Sequence, residues 1–155
     1  MMVGLLFAAP AGAAEPIIGR ASVIDGDTIE IVGQRIRLHG IDAPEAAQQC
    51  QDSSGRSYAC GRIAARKLDE LLAASRPTRC MEKDRDRYGR IVATCFRADG
   101  RDAGGLMVRG GHALDWPRYS QGAYAAAQEE AKAARAGVWQ GEFTPPWEWR
   151  QGQRR

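Results

Sequence analysis

Hydrophobic and polar residues alternate along the first third of the chain. In the segment SVIDGDTIEIVGQRIRLHGI, residues 22–41, the alternation runs on both sides of the turn signals DGD and VGQ. Ile29 and Ile31 share one face of one run, and Ile36 and Leu38 share one face of the next. Alternation with a period of two residues between turn signals predicts a β-meander.

After this meander the spacing of apolar residues becomes helical. From Gly61 to Ser75 they recur every three or four residues, which indicates an amphipathic helix that ends before Pro77. The later predicted segments are strands over 78–83 and 90–96 and helices over 102–109 and 122–136. Strands followed by helices, without strict alternation, predict an α+β fold with an antiparallel sheet or a small barrel.

Length and composition predict one domain and say little about partners. A chain of 155 residues with 44% apolar residues fills a single core. The formal net charge is only +3, although all but three of the 22 basic residues are Arg, the exceptions being Lys67, Lys83 and Lys132. Arginine favours bidentate recognition of phosphate or carboxylate, but a GC-rich genome, which inflates Arg and Ala, gives the same bias.

The first fourteen residues, MMVGLLFAAPAGAA, carry no charge and end in small residues. This pattern is typical of an export signal cleaved after Ala13, although the usual basic start is absent, so an upstream start or an uncleaved anchor is the alternative. No segment is apolar for long enough to span a bilayer. We expect export to the periplasm or the extracellular space, a domain over residues 19–150 and a frayed tail over residues 151–155, with Trp147 and Trp149 holding the end of the chain to the body.

Export makes disulfides available to Cys50, Cys60, Cys80 and Cys95. Cys80 and Cys95 flank the turn-rich sequence DRDRYGR, and a hairpin would set them opposite each other, which leaves Cys50 to pair with Cys60. A zinc site is the alternative, but neither pair has the separation of two to four residues that structural zinc ligands show. The spacing therefore predicts two disulfides.

Three acidic residues lie where strands of the meander turn or end. Asp25 and Asp27 flank Gly26, and Asp42 ends a later strand. Carboxylates that converge at one rim repel each other unless a cation bridges them, and oxygen ligands suit Ca²⁺ or Mg²⁺. The sequence DGD is also a good turn for its own sake, so this motif by itself does not establish a metal site.

Basic residues accompany these acids. Arg37 lies on the polar side of the strand that precedes Asp42, and Arg90 follows a glycine in DRYGR. An arginine beside carboxylates is ordinarily a salt bridge. Two arginines, a metal ion and Glu45 would nevertheless suit phosphodiester cleavage, because the cations neutralise charge on the phosphate while Glu45 accepts a proton from water.

Four motifs in this order, VIDGDTIEI, RIRLHGIDAPE, DRYGR and GVW, resemble those of the staphylococcal nuclease, or thermonuclease, family over roughly residues 19–140. The resemblance implies a five-stranded OB-fold barrel with about three helices, which the pattern merely permits. It also implies Ca²⁺-dependent hydrolysis of DNA and RNA that leaves 3′-phosphate ends. We further expect a monomer without a stable protein partner.

The resemblance assigns roles to individual residues. The metal ligands would be Asp27, Asp42 and the backbone carbonyl of Ala43, with Asp25 nearby; the catalytic residues would be Arg37, Arg90 and the general base Glu45; and the nucleotide would contact Arg87, Tyr88 and Tyr119. Pro117 replaces one expected aromatic residue, so Trp116 and Tyr119 could stack on bases or pack on the barrel. The alternative function is an OB-fold module that binds nucleic acid without cutting it.

Overall fold

The computed structural model describes residue 12 and residues 14–154, so most of the predicted export signal over residues 1–14 lies outside the described residues. The strands are β1 (Ile17–Gly19), β2 (Ser22–Asp25), β3 (Thr28–Ile31), β4 (Gln34–Leu38), β5 (Ile41–Asp42), β6 (Cys50–Gln51), β7 (Ser57–Tyr58), β8 (Thr78–Arg85), β9 (Ile91–Phe96) and β10 (Leu114–Asp115). The helices are α1 (Cys60–Ala73), α2 (Ala103–Arg109), α3 (Pro117–Ser120), α4 (Ala125–Ala133) and α5 (Pro146–Gln153), with the 3-10 helix η1 (Gly137–Gln140) between the last two. The predicted α+β class is confirmed.

A six-stranded sheet in the order β1-β8-β9-β4-β3-β2 organises the molecule. The predicted meander is its β2–β3–β4 portion, in which Ile29 pairs with Ile36. The sheet is mixed rather than antiparallel, because β4 and β9 run parallel, with Ile36 opposite Ile91. The main sheet has six strands where a five-stranded barrel was expected, and its strand order does not show the closed barrel. Two further two-stranded sheets, β5–β10 and β6–β7, flank the main sheet.

The helix count is the second difference from the sequence prediction. Helices α1, α2 and α4 correspond to the three that the pattern predicts, but the described residues contain two more, α3 and α5. Each additional helix begins with a proline at its first position, where the missing N–H costs no hydrogen bond. Helix α3 has only 4 residues and α5 only 8, too few for apolar periodicity to be recognised.

The main core lies between the sheet and the helices α1 and α2. The alternating residues Ile29, Ile31, Ile36 and Leu38 are buried there, as the pattern predicts. Helix α1 adds its own face, made of Ala64, Leu68 and Leu72. Burying each large side chain contributes roughly 1.5–3 kcal/mol, so this core fixes the strands that carry the site residues.

A second cluster packs apart from the main core. Its buried members are Cys50, Cys60, Leu114 and Val138, and Tyr58, Trp139, Phe143 and Trp147 pack against them. The rings of Trp139 and Phe143 meet edge to face at 5.0 Å. These residues come from five separate parts of the chain, and together they attach the C-terminal segment to the body of the domain.

Both predicted disulfides are present. Cys50 and Cys60 are joined by an S–S bond of 2.03 Å, and Cys80 and Cys95 by one of 2.07 Å. Cys80 and Cys95 are direct partners in the β8–β9 register, as a hairpin through DRDRYGR requires. Each disulfide therefore belongs to a different hydrophobic cluster: Cys80–Cys95 to the main core and Cys50–Cys60 to the second cluster.

Within the part of the chain that the structure describes, no helix combines the length and the apolar character needed to cross a membrane. Helix α5 continues through Gln153. Fraying of the last residues stays a prediction.

Candidate active site

The site begins at the tight turn between β2 and β3. Gly26 approaches its neighbours so closely that a Cβ atom there would lie 2.7 Å from the Cβ of Ala64 and 2.8 Å from the Cβ of Ala43. A larger residue would force the turn away from α1, so glycine is required for the close approach. The backbone N–H of Asp27 donates to Asp25 Oδ1 at 3.2 Å, which closes the turn as an Asx-turn.

The carboxylate of Asp27 is held through both oxygens. Oδ2 accepts a hydrogen bond from the backbone N–H of Ala43 at 2.9 Å. Oδ1 accepts from the hydroxyl of Thr28 at 3.1 Å and from Arg37 Nη1 at 3.4 Å. Asp27 is only 4% exposed, and these contacts fix the orientation of its carboxylate.

Arg37 links Asp27 to a second buried carboxylate. It lies on β4, opposite Thr28 of β3, and its Nη2 donates to Asp42 Oδ1 at 3.1 Å. Asp42 is fully buried on β5, where it pairs with Leu114 of β10. Because one guanidinium contacts both carboxylates, Asp27 and Asp42 face a common region of positive charge.

Glu45 follows on the loop after β5. Its backbone N–H donates to Oε1 of the buried Gln48 at 3.2 Å, and Gln48 Nε2 donates to the carbonyl of Thr144 at 2.7 Å. At Gly61, a Cβ atom would collide with the backbone carbonyl of Glu45. The Glu45 loop is therefore clamped between the start of α1 and the C-terminal segment, while its side chain stays about one-third exposed.

An arginine that the sequence analysis missed completes this cluster. Arg150 of α5 donates from Nη1 to Asp42 Oδ1 at 2.9 Å and from Nη2 to Asp42 Oδ2 at 2.8 Å. Nη1 also donates to Glu45 Oε1 at 2.8 Å. The sequence PPWEWR contains one usable signal: Pro146 marks a helix start, which places Trp147 and Arg150 three residues apart on one helix face. Nothing in the sequence shows that this face meets Asp42.

The electrostatic environment reflects crowded acids. Burial, together with the negative charge of Asp27, raises the pKa of Asp25 to about 7. Burial also raises the pKa of Asp42, although the guanidinium groups of Arg150 and Arg37 act in the opposite direction. Burial disfavours the charge of Arg37 as well, but the adjacent carboxylates of Asp27 and Asp42 leave its pKa raised. The two guanidinium groups thus favour the ionised form of Asp42 against the effect of burial on its pKa.

Trp116 covers the cluster. The guanidinium groups of Arg37 and Arg150 each lie 5.5 Å from the centroid of its ring. The ring of Trp147 stacks on Trp116 at 6.0 Å with an interplanar angle of 14°. The ring of Tyr119 meets Trp116 edge to face at 4.6 Å. Trp116 therefore packs between arginines and aromatic rings, whereas Tyr119 remains 46% exposed.

Arg90 does not join the contact network of the acids among the described residues. It precedes β9, whose Val92 lies opposite Arg37, so residue alternation places Arg90 on the same face of the sheet as Arg37. Its Nε donates to Asp86 Oδ2 at 2.7 Å. Asp86 thereby holds the guanidinium at the β8–β9 turn, outside the contact network of the carboxylates.

The predicted nucleotide contacts also lie on this turn. Tyr88 is 77% exposed, and the Arg87 guanidinium lies 4.9 Å from the centroid of its ring. Tyr88 and Arg90 line an open groove of about 720 Å³ together with Arg35 and Arg85. The structure thus places Arg87, Tyr88 and Arg90 near one another and apart from Asp27, Asp42 and Glu45.

The oxygen atoms at the cluster suit a hard divalent ion. Asp27, Asp42 and the carbonyl of Ala43 are the candidate ligands, and such oxygen-only sets, completed by water, are typical of Ca²⁺. Among the described residues, no group of three or more His, Cys, Asp or Glu side chains is arranged so that it could hold a metal ion, so the candidate set consists of two carboxylates and one carbonyl. The guanidinium of Arg37 bridges Asp27 and Asp42, so these two carboxylates are close enough to share one cationic group.

Comparisons with known proteins identify relatives of this chain. The sequence matches the family described as "Staphylococcal nuclease homologue" over residues 35–141. It is 54% identical over 139 residues to the succinoglycan biosynthesis protein ExoI of Rhizobium meliloti (strain 1021), covering 90% of this chain and 73% of that protein. It is 35% identical over 134 residues to an uncharacterized endonuclease of Escherichia coli, covering 83% of this chain and 80% of that protein.

A third relative, the micrococcal nuclease of Shigella flexneri, is 29% identical over 144 residues, covering 83% of this chain and 76% of that protein. The chain belongs to the staphylococcal nuclease family. The family resemblance predicted from the four sequence motifs is confirmed.

Proposed function

We propose that this protein is an exported, Ca²⁺-dependent nuclease that hydrolyses DNA and RNA with little sequence specificity and leaves 3′-phosphate ends. The observation that carries the proposal is a contact network in which Arg37 joins Asp27 to Asp42 and Arg150 joins Asp42 to Glu45, so that three acids and two guanidinium groups meet at one rim of the sheet. Contacts to phosphate groups carry no base information, so little sequence preference is expected.

Asp27, Asp42 and the backbone carbonyl of Ala43 would hold the metal ion. A bound Ca²⁺ supplies positive charge to the phosphate as negative charge develops on its oxygens. Asp25 lies behind Asp27, and its raised pKa leaves it partly protonated near neutral pH, so it contributes less negative charge than its neighbours.

The reaction assigned to the remaining residues is direct hydrolysis. Glu45 accepts a proton from a water molecule whose oxygen forms a bond to phosphorus, and the bond from phosphorus to the 5′-oxygen breaks. The departing 5′-oxygen takes up a proton from solvent, so the products are a 3′-phosphate and a 5′-hydroxyl. Arg37 and Arg90 donate hydrogen bonds to the non-bridging phosphate oxygens and neutralise their growing charge.

The substrate strand would extend from the carboxylate cluster into the groove at the β8–β9 turn. Arg35, Arg85 and Arg90 line this groove, so it attracts a phosphate backbone. Tyr88 and Tyr119 are exposed and available for stacking on bases. Arg87 beside Tyr88 would hold a terminal phosphate.

The two disulfides support export, because such bonds persist in oxidising compartments. The periplasm and the extracellular space are both oxidising, and we propose one of them as the location. We also propose that the protein acts as a monomer, with nucleic acid as its substrate and no stable protein partner.

A non-catalytic OB-fold module that binds nucleic acid is the second candidate function. The observation that favours it is Arg150, which occupies both oxygens of Asp42 and one oxygen of Glu45. An acid and a base engaged in this way cannot react unless the arginine moves. Digestion assays separate this candidate from the nuclease.

The test is digestion of single-stranded DNA, double-stranded DNA and RNA in Ca²⁺, Mg²⁺ or chelator, followed by analysis of the ends. Succinoglycan is included as a separate substrate because the name of the Rhizobium meliloti relative refers to its biosynthesis. We expect cleavage in Ca²⁺, none in chelator, and 3′-phosphate ends. Binding without cleavage in every metal would establish the non-catalytic candidate instead.

The variant Glu45→Gln tests the general base. It should bind nucleic acid as the wild type does but lower turnover by at least ~100-fold, the scale of a lost general base. Glu142→Gln makes the same chemical change at an exposed position and is the matched control. Cleavage by Glu45→Gln at the wild-type rate would remove Glu45 from the mechanism.

A further inference from the structure

Arg150 makes more contacts with the acids of the site than any other side chain of the described residues. It donates to both oxygens of Asp42 and to one oxygen of Glu45, at distances of 2.8–2.9 Å. Arg37 donates to Asp42 Oδ1 as well. Two guanidinium groups therefore surround a carboxylate that has no exposed surface.

The position of Arg150 is fixed by packing. Helix α5 begins at the buried Pro146, and Trp147 stacks on Trp116 at 6.0 Å. The guanidinium of Arg150 lies against the same Trp116 ring. Just before the helix, Gln48 Nε2 binds the carbonyl of Thr144 at 2.7 Å. These contacts aim α5 at the site, whereas an unsupported surface arginine would sample many rotamers.

Asp42 cannot coordinate a divalent ion while Arg150 keeps its hydrogen bonds to both oxygens of the carboxylate. A carboxylate ligand must approach Ca²⁺ to roughly 2.3–2.6 Å, which replaces a hydrogen bond at that oxygen. The two positive charges would also repel each other at such short range. An ion bound by Asp42 therefore requires the Arg150 guanidinium to release at least one oxygen.

We infer that Arg150 is an internal competitor of the divalent ion: it holds Asp42 and Glu45 when the ion is absent and must withdraw when Asp42 binds the ion. This inference rests on the proposed metal site of the nuclease. Its consequence is that metal binding frees the general base, because the guanidinium that leaves Asp42 is the one that engages Glu45. Metal binding and the release of Glu45 then occur as one event, which raises the Ca²⁺ concentration that activity requires.

The experiment is a calorimetric titration of the full chain with Ca²⁺ alone, without nucleic acid. Arg150→Gln should bind Ca²⁺ on the order of tenfold more tightly than the wild type, since the competing charge-assisted contacts are lost. Arg150→Lys keeps the charge but loses the bidentate geometry, so it should bind Ca²⁺ with intermediate affinity.

Two controls separate the effect of the Arg150 contacts on Ca²⁺ affinity from the effect of net charge. Arg154→Gln removes the same charge from the exposed end of the same helix and should leave affinity near the wild-type value. Trp147→Ala removes no charge but loosens α5, so it should tighten Ca²⁺ binding in the direction of Arg150→Gln. Repeating the titrations at 0.3 M KCl screens long-range effects and should preserve the difference between Arg150→Gln and Arg154→Gln.

The outcomes distinguish this inference from the proposed function. If the wild type binds Ca²⁺, Asp42→Asn abolishes binding and Arg150→Gln changes nothing, the metal site stands and the competition is refuted. Equal tightening by Arg150→Gln and Arg154→Gln would likewise refute it, because a general charge effect would explain both. If neither the wild type nor Arg150→Gln binds Ca²⁺, both the competition and the metal-dependent function are overturned.

Discussion

The two hydrophobic clusters of this molecule differ in how they are assembled and in which half of the site they hold. The main core is built from the strands of the central sheet and the helices packed on it, and it fixes Arg37 on β4 and the turn that carries Asp27. The second cluster is built from residues scattered between Cys50 and Trp147, and it fixes the segment that leads to Arg150. The acids and their predicted arginine thus depend on local order, whereas the missed arginine depends on long-range packing.

This difference has a consequence for stability. The main core is large and continuous, so its loss should unfold the whole domain. The second cluster is small, and segments with few buried contacts open at lower free energy than a central sheet. Breaking the second cluster should therefore loosen the C-terminal segment while the sheet stays folded.

The largest expected effect comes from a cavity in the main core. Leu68→Ala removes a fully buried side chain from α1 and should lower the free energy of unfolding by about 2–5 kcal/mol, measured by urea denaturation. Arg66→Ala, at an exposed position on the same helix, is the control and should change stability by less than about 0.5 kcal/mol. Equal effects of the two substitutions would contradict the burial pattern of α1.

The two disulfides compare the clusters directly. They close loops of similar length, with separations of 10 and 15 residues, so Cys50→Ser/Cys60→Ser and Cys80→Ser/Cys95→Ser should each lower the free energy of unfolding by about 2–4 kcal/mol. The two double variants should differ in which region of the molecule becomes less protected. We expect faster amide exchange over residues 137–153 in the Cys50/Cys60 variant and not in the other. Uniform acceleration in both would mean that the clusters open together.

The smallest expected effect is a pH dependence of folding stability that comes from His112, at the border of the second cluster. His112 lines a cavity of about 60 Å³ beside Cys60 and Val138. Burial, assisted by the positive charge of Lys67 and opposed by Glu70, lowers its pKa below the usual 6.5. The unfolded chain therefore binds this proton more readily than the folded chain, so stability is full above pH 6.5 and falls as the pH drops below it.

His112→Gln should remove this contribution. Melting temperatures of the variant and the wild type, measured between pH 5 and 8, should diverge in their pH dependence only below pH 6.5, where the wild type loses more stability. Parallel curves over the whole range would show that protonation of His112 costs the folded state nothing.

The parts of the fold that were predicted correctly are those with local repetition. The alternation of Ile29, Ile31, Ile36 and Leu38 predicted the meander, and the three- and four-residue spacing along α1 predicted that helix. The cysteine spacing predicted the register of the β8–β9 hairpin, in which Cys80 faces Cys95. Each of these patterns predicts the local backbone structure directly, because its residues are close in the chain.

The parts that were missed lack such repetition. The parallel pairing of β4 with β9 places Ile36 opposite Ile91. Alternation within one strand does not predict which other strand it pairs with. Helices α3 and α5 are too short to show a period. The contact between Arg150 and Asp42 spans 108 residues, so only tertiary packing reveals it.

The candidate site follows the same division. The motifs contain Arg37 with its direct partners Asp27 and Asp42, and they contain Glu45, which among the described residues joins them only through Arg150. The motifs also contain Arg90, whose bond to Asp86 lies outside that network. The motifs predict which residues belong to the site. The hydrogen-bond partners of those residues also depend on side chains outside the motifs, which the motifs do not predict.

The position of Trp116 gives the site its own optical probe. The guanidinium groups of Arg37 and Arg150 lie near its ring, and the ring stacks on Trp147. Indole emission is sensitive to nearby charge and to ring stacking. Departure of either arginine or of the neighbouring indole would alter that emission. Events at the carboxylates can therefore be followed by intrinsic fluorescence in the unlabelled protein.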